Sequence, residues 1–236
     1  MNTSDDNSPL TGYREALNIL AIQPSEPTKP LTIPASLRRS YDENFLSDYL
    51  AYILNPKHNG IGIHPLAALC RSYGRNPDDL FLDKVIIYRE YGLDSGRIDL
   101  LLEIEGQWVL GIENKIFSPE GEGQTISYAK HINSKFQNVD RDFLFLTIGG
   151  ERAQEDVFRS VSYNRLLVAL KTVTLADDIE IRKRILWEDF LQHLEEYIVM
   201  STSGQFAFSE KAKLYLEHYR MLQDMEHIFN SDWNEA

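Results

Sequence analysis

Glu113 and Lys115 stand two residues apart in the stretch Gly-Ile-Glu-Asn-Lys-Ile (111–116), inside a run otherwise apolar enough to be a buried strand. A carboxylate and an ammonium on one strand face can hold a divalent cation, orient a water and steady charge on a phosphoryl group. Such chemistry needs a second carboxylate, and Asp99 in Arg-Ile-Asp-Leu-Leu-Leu-Glu-Ile (97–104) is the candidate. Strand alternation puts Ile98, Leu100, Leu102 and Ile104 on one face, with Asp99, Leu101 and Glu103 on the other. In the following run Trp108, Leu110, Ile112 and Asn114 share a face, and Val109, Gly111, Glu113 and Lys115 share the opposite one. The hairpin register that joins the two apolar faces pairs 104 with 108, 102 with 110 and 100 with 112, and so sets Asp99 opposite Glu113.

Opposed cross-strand residues have Cβ atoms about 4.5–5.5 Å apart, where like charges repel. A hard cation with oxygen ligands offsets that repulsion, and Mg²⁺ is the expected ion, with Mn²⁺ able to replace it. Two carboxylates, a lysine and a metal make a hydrolytic site. A Glu-x-Lys pair is also a common surface ion pair worth about 0 to 1 kcal/mol. Here it is the chain's one acid-x-Lys, its flanks are apolar, and a partner acid arrives in register.

The elements that must position these groups follow from periodicity. Ser40–Leu54 carries Phe45, Leu46, Tyr49, Leu50, Ile53 and Leu54 at helical spacing, and a second helix is expected over 64–74. Strands are expected at 84–91, 97–104 and 107–116, then a helix at 124–136 and a buried strand in Asp-Phe-Leu-Phe-Leu-Thr-Ile-Gly-Gly (142–150). The remainder reads as helical. This order, α-β-β-β-α-β and then helices, predicts an α/β (α+β) fold, a sheet covered by helices. Residues 1–35 read as a proline-marked arm, 36–171 as the core and 172–236 as a helical extension packed on it.

Composition bounds the function. The chain has 236 residues, 43% of them hydrophobic, enough for a full core. No apolar run reaches membrane-spanning length and no signal-like N-terminus is present, so a cytoplasmic protein without a membrane partner is expected. One cysteine, Cys70, excludes an internal disulfide and a thiolate metal cluster, and reads as a core residue. The net charge of −12 opposes phosphate binding, yet residues 57–171 carry 14 basic and 16 acidic groups and are nearly neutral. The excess lies mostly in 172–236, with 6 basic and 13 acidic groups.

Asp99, then Glu113-Asn114-Lys115, then a helix opening with Gln124 in Gly-Glu-Gly-Gln-Thr-Ile-Ser-Tyr (121–128), resembles the PD-(D/E)XK nuclease superfamily, nearest to its bacterial and phage branch worded "ENK". The likeness covers about residues 40–170. It implies a restriction-endonuclease-like core with a mixed central sheet, and a metal-dependent nuclease, DNA endonuclease before RNA-directed nuclease, with a role in phage defence or mobile-element biology. It implies metal binding by Asp99, Glu113 and the backbone carbonyl of Asn114, and water activation by Lys115. Glu43 would complete the metal shell, and Gln124 and Tyr128, at i and i+4, would face the site. Ile98 stands where the motif's proline would be. Each of the added roles has an alternative: Ser40-x-x-Glu43 also spells a capping box, Gln124 can simply open its helix, and Tyr128 can be core. The acidic surface further suggests that a homo-oligomer or partner protein supplies affinity for nucleic acid. The competing reading is a catalytically silent nuclease-fold module that binds protein.

Overall fold

Apolar runs separated by turn residues become the sheet. In the computed structural model, which describes residues 29–93 and 96–200, β1 (Ile86–Leu93), β2 (Gly96–Ile104) and β3 (Trp108–Lys115) form an antiparallel meander. The β2–β3 turn needs the left-handed backbone of Gly106, at φ 68°, which a side chain would disfavour. The helix α4 (Gln124–Lys135) then crosses over to β4 (Asp140–Thr147), parallel to β3, and β5 (Phe158–Ser162) lies parallel to β4. The five strands stand in chain order, giving a mixed sheet. β5 lies in Phe-Arg-Ser-Val-Ser, too short and polar to register as a strand in the sequence.

Helices cover both faces. One face carries Leu100, Leu102, Leu110, Ile112, Leu144 and Leu146 against α2 (Glu43–Leu54), α3 (His64–Ser72), α5 (Tyr163–Leu170) and α6 (Ile181–His193). Trp187 and Phe190 of α6, and Leu194 and Ile198 of the π-helical turn Leu194–Val199, are part of this same core. The other face, smaller, sets Leu101, Val109, Phe143 and Phe145 under Tyr128, Ala129 and Ile132 of α4. A short helix, α1 (Ile33–Ser36), is tied to α6: the Ile33 amide donates to both oxygens of Asp189. The described residues from 30 to 200 close into one unit. The arm before residue 29, and the helix expected over 208–229, lie outside the described residues.

Cys70 is fully buried in α3, and burial pushes its thiol up to about 11, as suits a core residue. Among the described residues no helix is long and apolar enough to cross a membrane.

Candidate active site

The register of β2 and β3 runs Ile104↔Trp108, Leu102↔Leu110 and Leu100↔Ile112, and there the pairing ends. Beyond it the strands part, and Asp99 Oδ2 accepts the Asn114 amide at 2.7 Å instead of a strand neighbour. Ile98 departs from the expected alternation: it joins Leu101 and Val109 on the α4 face rather than Leu100 on the other. The cause lies across the ladder. Glu90, flanked by the pairs Arg89↔Leu100 and Tyr91↔Ile98, is the neighbour of Asp99 in register and sits at φ 50°, a conformation unusual for a non-glycine residue. This local twist breaks the pleat at Asp99. Glu90 is held there by Arg97 at 3.2 Å. Arg89 donates to the Asp99 and Asn44 carbonyls and to Asp48, fastening α2 to the end of β2.

Glu113, 1% exposed, faces α4 as alternation requires. Its Oε1 accepts Lys115 Nζ at 3.0 Å and Gln124 Nε2 at 2.7 Å. Its Oε2 is buried with no hydrogen-bond partner. Gln124 is the first residue of α4, and its amide also donates to the Tyr128 hydroxyl at 3.0 Å, one turn on. Tyr128 in turn donates to the Arg97 carbonyl at 2.9 Å. A chain of contacts thus runs from Glu113 through Gln124 and Tyr128 back to the start of β2.

Asn114 points to the opposite face and is fully buried. Its amide donates to Ser47 Oγ at 2.9 Å, and its Oδ1 accepts the Tyr163 hydroxyl at 2.8 Å. Glu43 caps nothing: Asp42 is the N-cap of α2, accepting the Phe45 amide at 3.0 Å. The Glu43 Oε1 instead accepts the amides of Ile116, Phe117 and Ser118 at 2.8, 3.3 and 3.2 Å, and the Ser118 hydroxyl at 2.7 Å. Among the described residues no group of three or more Asp, Glu, His or Cys side chains is placed to share a metal, so Glu43 is not brought into the Asp99–Glu113 cluster.

The electrostatics follow from this packing. Burial raises Asp99 to about 6, against the opposing pull of the Asn114 amide, Lys115 and Arg89. Burial and then the Asp99 charge raise Glu113 to about 7, although Lys115 opposes them. Burial would lower Lys115, but Glu113 and Asp99 outweigh it and hold the ammonium protonated. Burial likewise acts to raise Glu43, and the bonds from Ile116 and Ser118 overcome it, leaving that carboxyl below its ordinary range. Two buried carboxylates of raised proton affinity, one with a vacant oxygen, fit a divalent cation. Asp99, Glu113 and the Asn114 carbonyl are the groups that would hold it.

Sequence reasoning did not find Arg89, Ser47, Ser118 or Tyr163, which fix the site from outside it. Their partners lie 10 to 75 positions away, and no local spacing marks them. Glu90 was legible in principle, since the β1–β2 hairpin register places it beside Asp99.

The profile of the PD-(D/E)XK nuclease superfamily matches residues 35–221, which include every residue of this cluster. No curated protein and no solved structure matches the chain. With a match across most of its length and a mixed sheet flanked by helices, the chain belongs to the PD-(D/E)XK nuclease superfamily.

Proposed function

We propose that the protein is a metal-dependent phosphodiesterase that cuts DNA internally, using Mg²⁺ or Mn²⁺ held by Asp99, Glu113 and the Asn114 carbonyl. The observation that carries this reading is the buried, unpartnered Oε2 of Glu113 beside Asp99, with Lys115 at 3.0 Å from the other oxygen. An isolated buried carboxylate oxygen is costly unless something positive meets it. The ion, when bound, would polarise a phosphoryl oxygen and lower the pKa of a water.

The chain's own residues supply the rest. Lys115, kept charged by its neighbours, orients the attacking water and stabilises charge gathering on the phosphorus oxygens. Gln124 fixes the Glu113 rotamer, and Tyr128 fixes Gln124. Glu43 acts by position, clamping the 116–118 turn that follows Lys115, rather than by completing the metal shell.

The acidic chain suggests weak binding as a monomer, with affinity raised by self-association or a partner protein. Such restraint suits a nuclease of phage defence or mobile-element biology that acts when triggered. The test is incubation with plasmid, linear and single-stranded DNA and with RNA, in Mn²⁺ and in EDTA. Asp99→Ala, Glu113→Ala and Lys115→Ala are each expected to abolish cleavage while leaving the circular dichroism unchanged. Undiminished cleavage by Lys115→Ala would remove the mechanism.

A further inference from the structure

The residues just past Lys115 leave the sheet with aromatic surface showing. Phe117 is 58% exposed and Tyr41 40% exposed, and the two rings lie 5.2 Å apart at 50°. Exposed aromatic rings beside a nucleic-acid site can serve as a surface on which a base stacks. The turn that carries Phe117 is fixed, because Glu43 accepts the amides of Ile116, Phe117 and Ser118. The backbone that carries the ring is therefore held in place.

Beside it opens a cleft of about 300 Å³ that includes Lys115, Phe117, Ser118, Thr147 and the exposed Arg152. The acids along this cleft are occupied at home. Glu120 accepts from Thr125 and from the Gln154 amide at 2.8 Å, and Glu151 accepts the Gly149 amide at 3.2 Å. The catalytic lysine, an aromatic platform and an arginine thus border one opening.

We propose that Phe117, backed by Tyr41, is a base-stacking platform and Arg152 a phosphate contact, so that the site takes single-stranded nucleic acid with an unpaired base beside the scissile phosphate. This rests on the nuclease reading of the adjoining cluster. Stacking onto an aromatic face tolerates any base and needs few cations, which suits a chain of net charge −12. A fully paired duplex offers no free base face to Phe117.

The experiment measures binding and cleavage separately, on the full chain. Fluorescence anisotropy with the non-cleaving Glu113→Gln background reads binding of labelled single-stranded DNA, single-stranded RNA and duplex DNA. Phe117→Ala is expected to weaken single-strand binding about 5- to 100-fold, with Phe117→Trp restoring it and Phe117→Leu failing to. Duplex binding is expected to change less than 2-fold, as a rough bound from the absent stacking contact. Arg152→Ala is expected to weaken single strands of every sequence alike. The comparison of single-stranded DNA with RNA identifies which sugar the site accepts. Equal loss on duplex and single strand, or full restoration by leucine, would overturn the platform. If wild-type protein cuts no nucleic acid with Mn²⁺ while the Phe117 dependence of binding holds, the catalytic reading fails and the platform stands.

Discussion

Asp99 and Glu113 are two carboxyl groups taken out of water and set side by side, and the protein without metal bears the cost. Both are raised above their ordinary range, Asp99 to about 6 and Glu113 to about 7, by burial first. The folded state therefore binds more protons than the unfolded chain between about pH 4 and 7, and their contribution to stability falls as pH rises through that window. A cation requires the ionised forms, so its stabilising effect grows across the same window. The expected result is a melting temperature in EDTA that drops between about pH 5 and pH 8, with a rise on adding Mn²⁺ that is large at pH 8 and small at pH 5. Glu113→Gln removes one ionising member, and is expected to melt no lower than wild type in EDTA at pH 8 while losing the Mn²⁺ response. A Glu113→Gln variant that kept the full Mn²⁺ shift would place the ion elsewhere.

The elements show why part of this site could be read from the sequence and part could not. Strand alternation and the apolar register carried Glu113, Lys115 and the Asn114 side-chain direction correctly, because β3 keeps its regular pairing with β4 through Lys115↔Thr147 even after β2 has parted from it. Alternation failed at Ile98, where β2 leaves β3 and Glu90 adopts a left-handed backbone; neither event has a local signal without glycine. Glu43 showed the same limit. Its position on the first core helix was legible, but its donors in the 116–118 turn depend on how α2 lies across β3. Glu43→Ala is expected to leave α2 intact, since Asp42 supplies the cap, and to free those three amides. Hydrogen exchange at Ile116, Phe117 and Ser118 should quicken while β3 stays protected. On the opposite side, Tyr163→Phe strips Asn114 Oδ1 of its donor in a fully buried place, for a loss of about 1–3 kcal/mol in chemical denaturation. Unchanged stability there would mean that the α5–β3 link is incidental.

Across the whole molecule, charge and catalysis sit at odds. A net charge of −12 repels a polyanion at distance, whereas the candidate site offers it Lys115, itself bonded to Glu113, and Arg152 at the cleft. Affinity that comes from two cations releases few counterions. For single strands the slope of log affinity against log salt is about −0.7 per neutralised phosphate, and two contacts give a slope near −1.4 as a rough figure. Measured by anisotropy from about 50 to 200 mM salt, this predicts a loss of less than about 10-fold, shallow for a nuclease. Arg152→Ala should bring the slope closer to zero by roughly half, while Phe117→Ala lowers affinity at every salt concentration with the slope unchanged, since a stacked ring displaces no ions. A wild-type slope several times steeper would show that phosphates are met by a basic surface other than this cleft. If that steep slope appeared only at high protein concentration, the extra cations would come from a second copy of the chain, and the acidic monomer would be the restrained form of the enzyme.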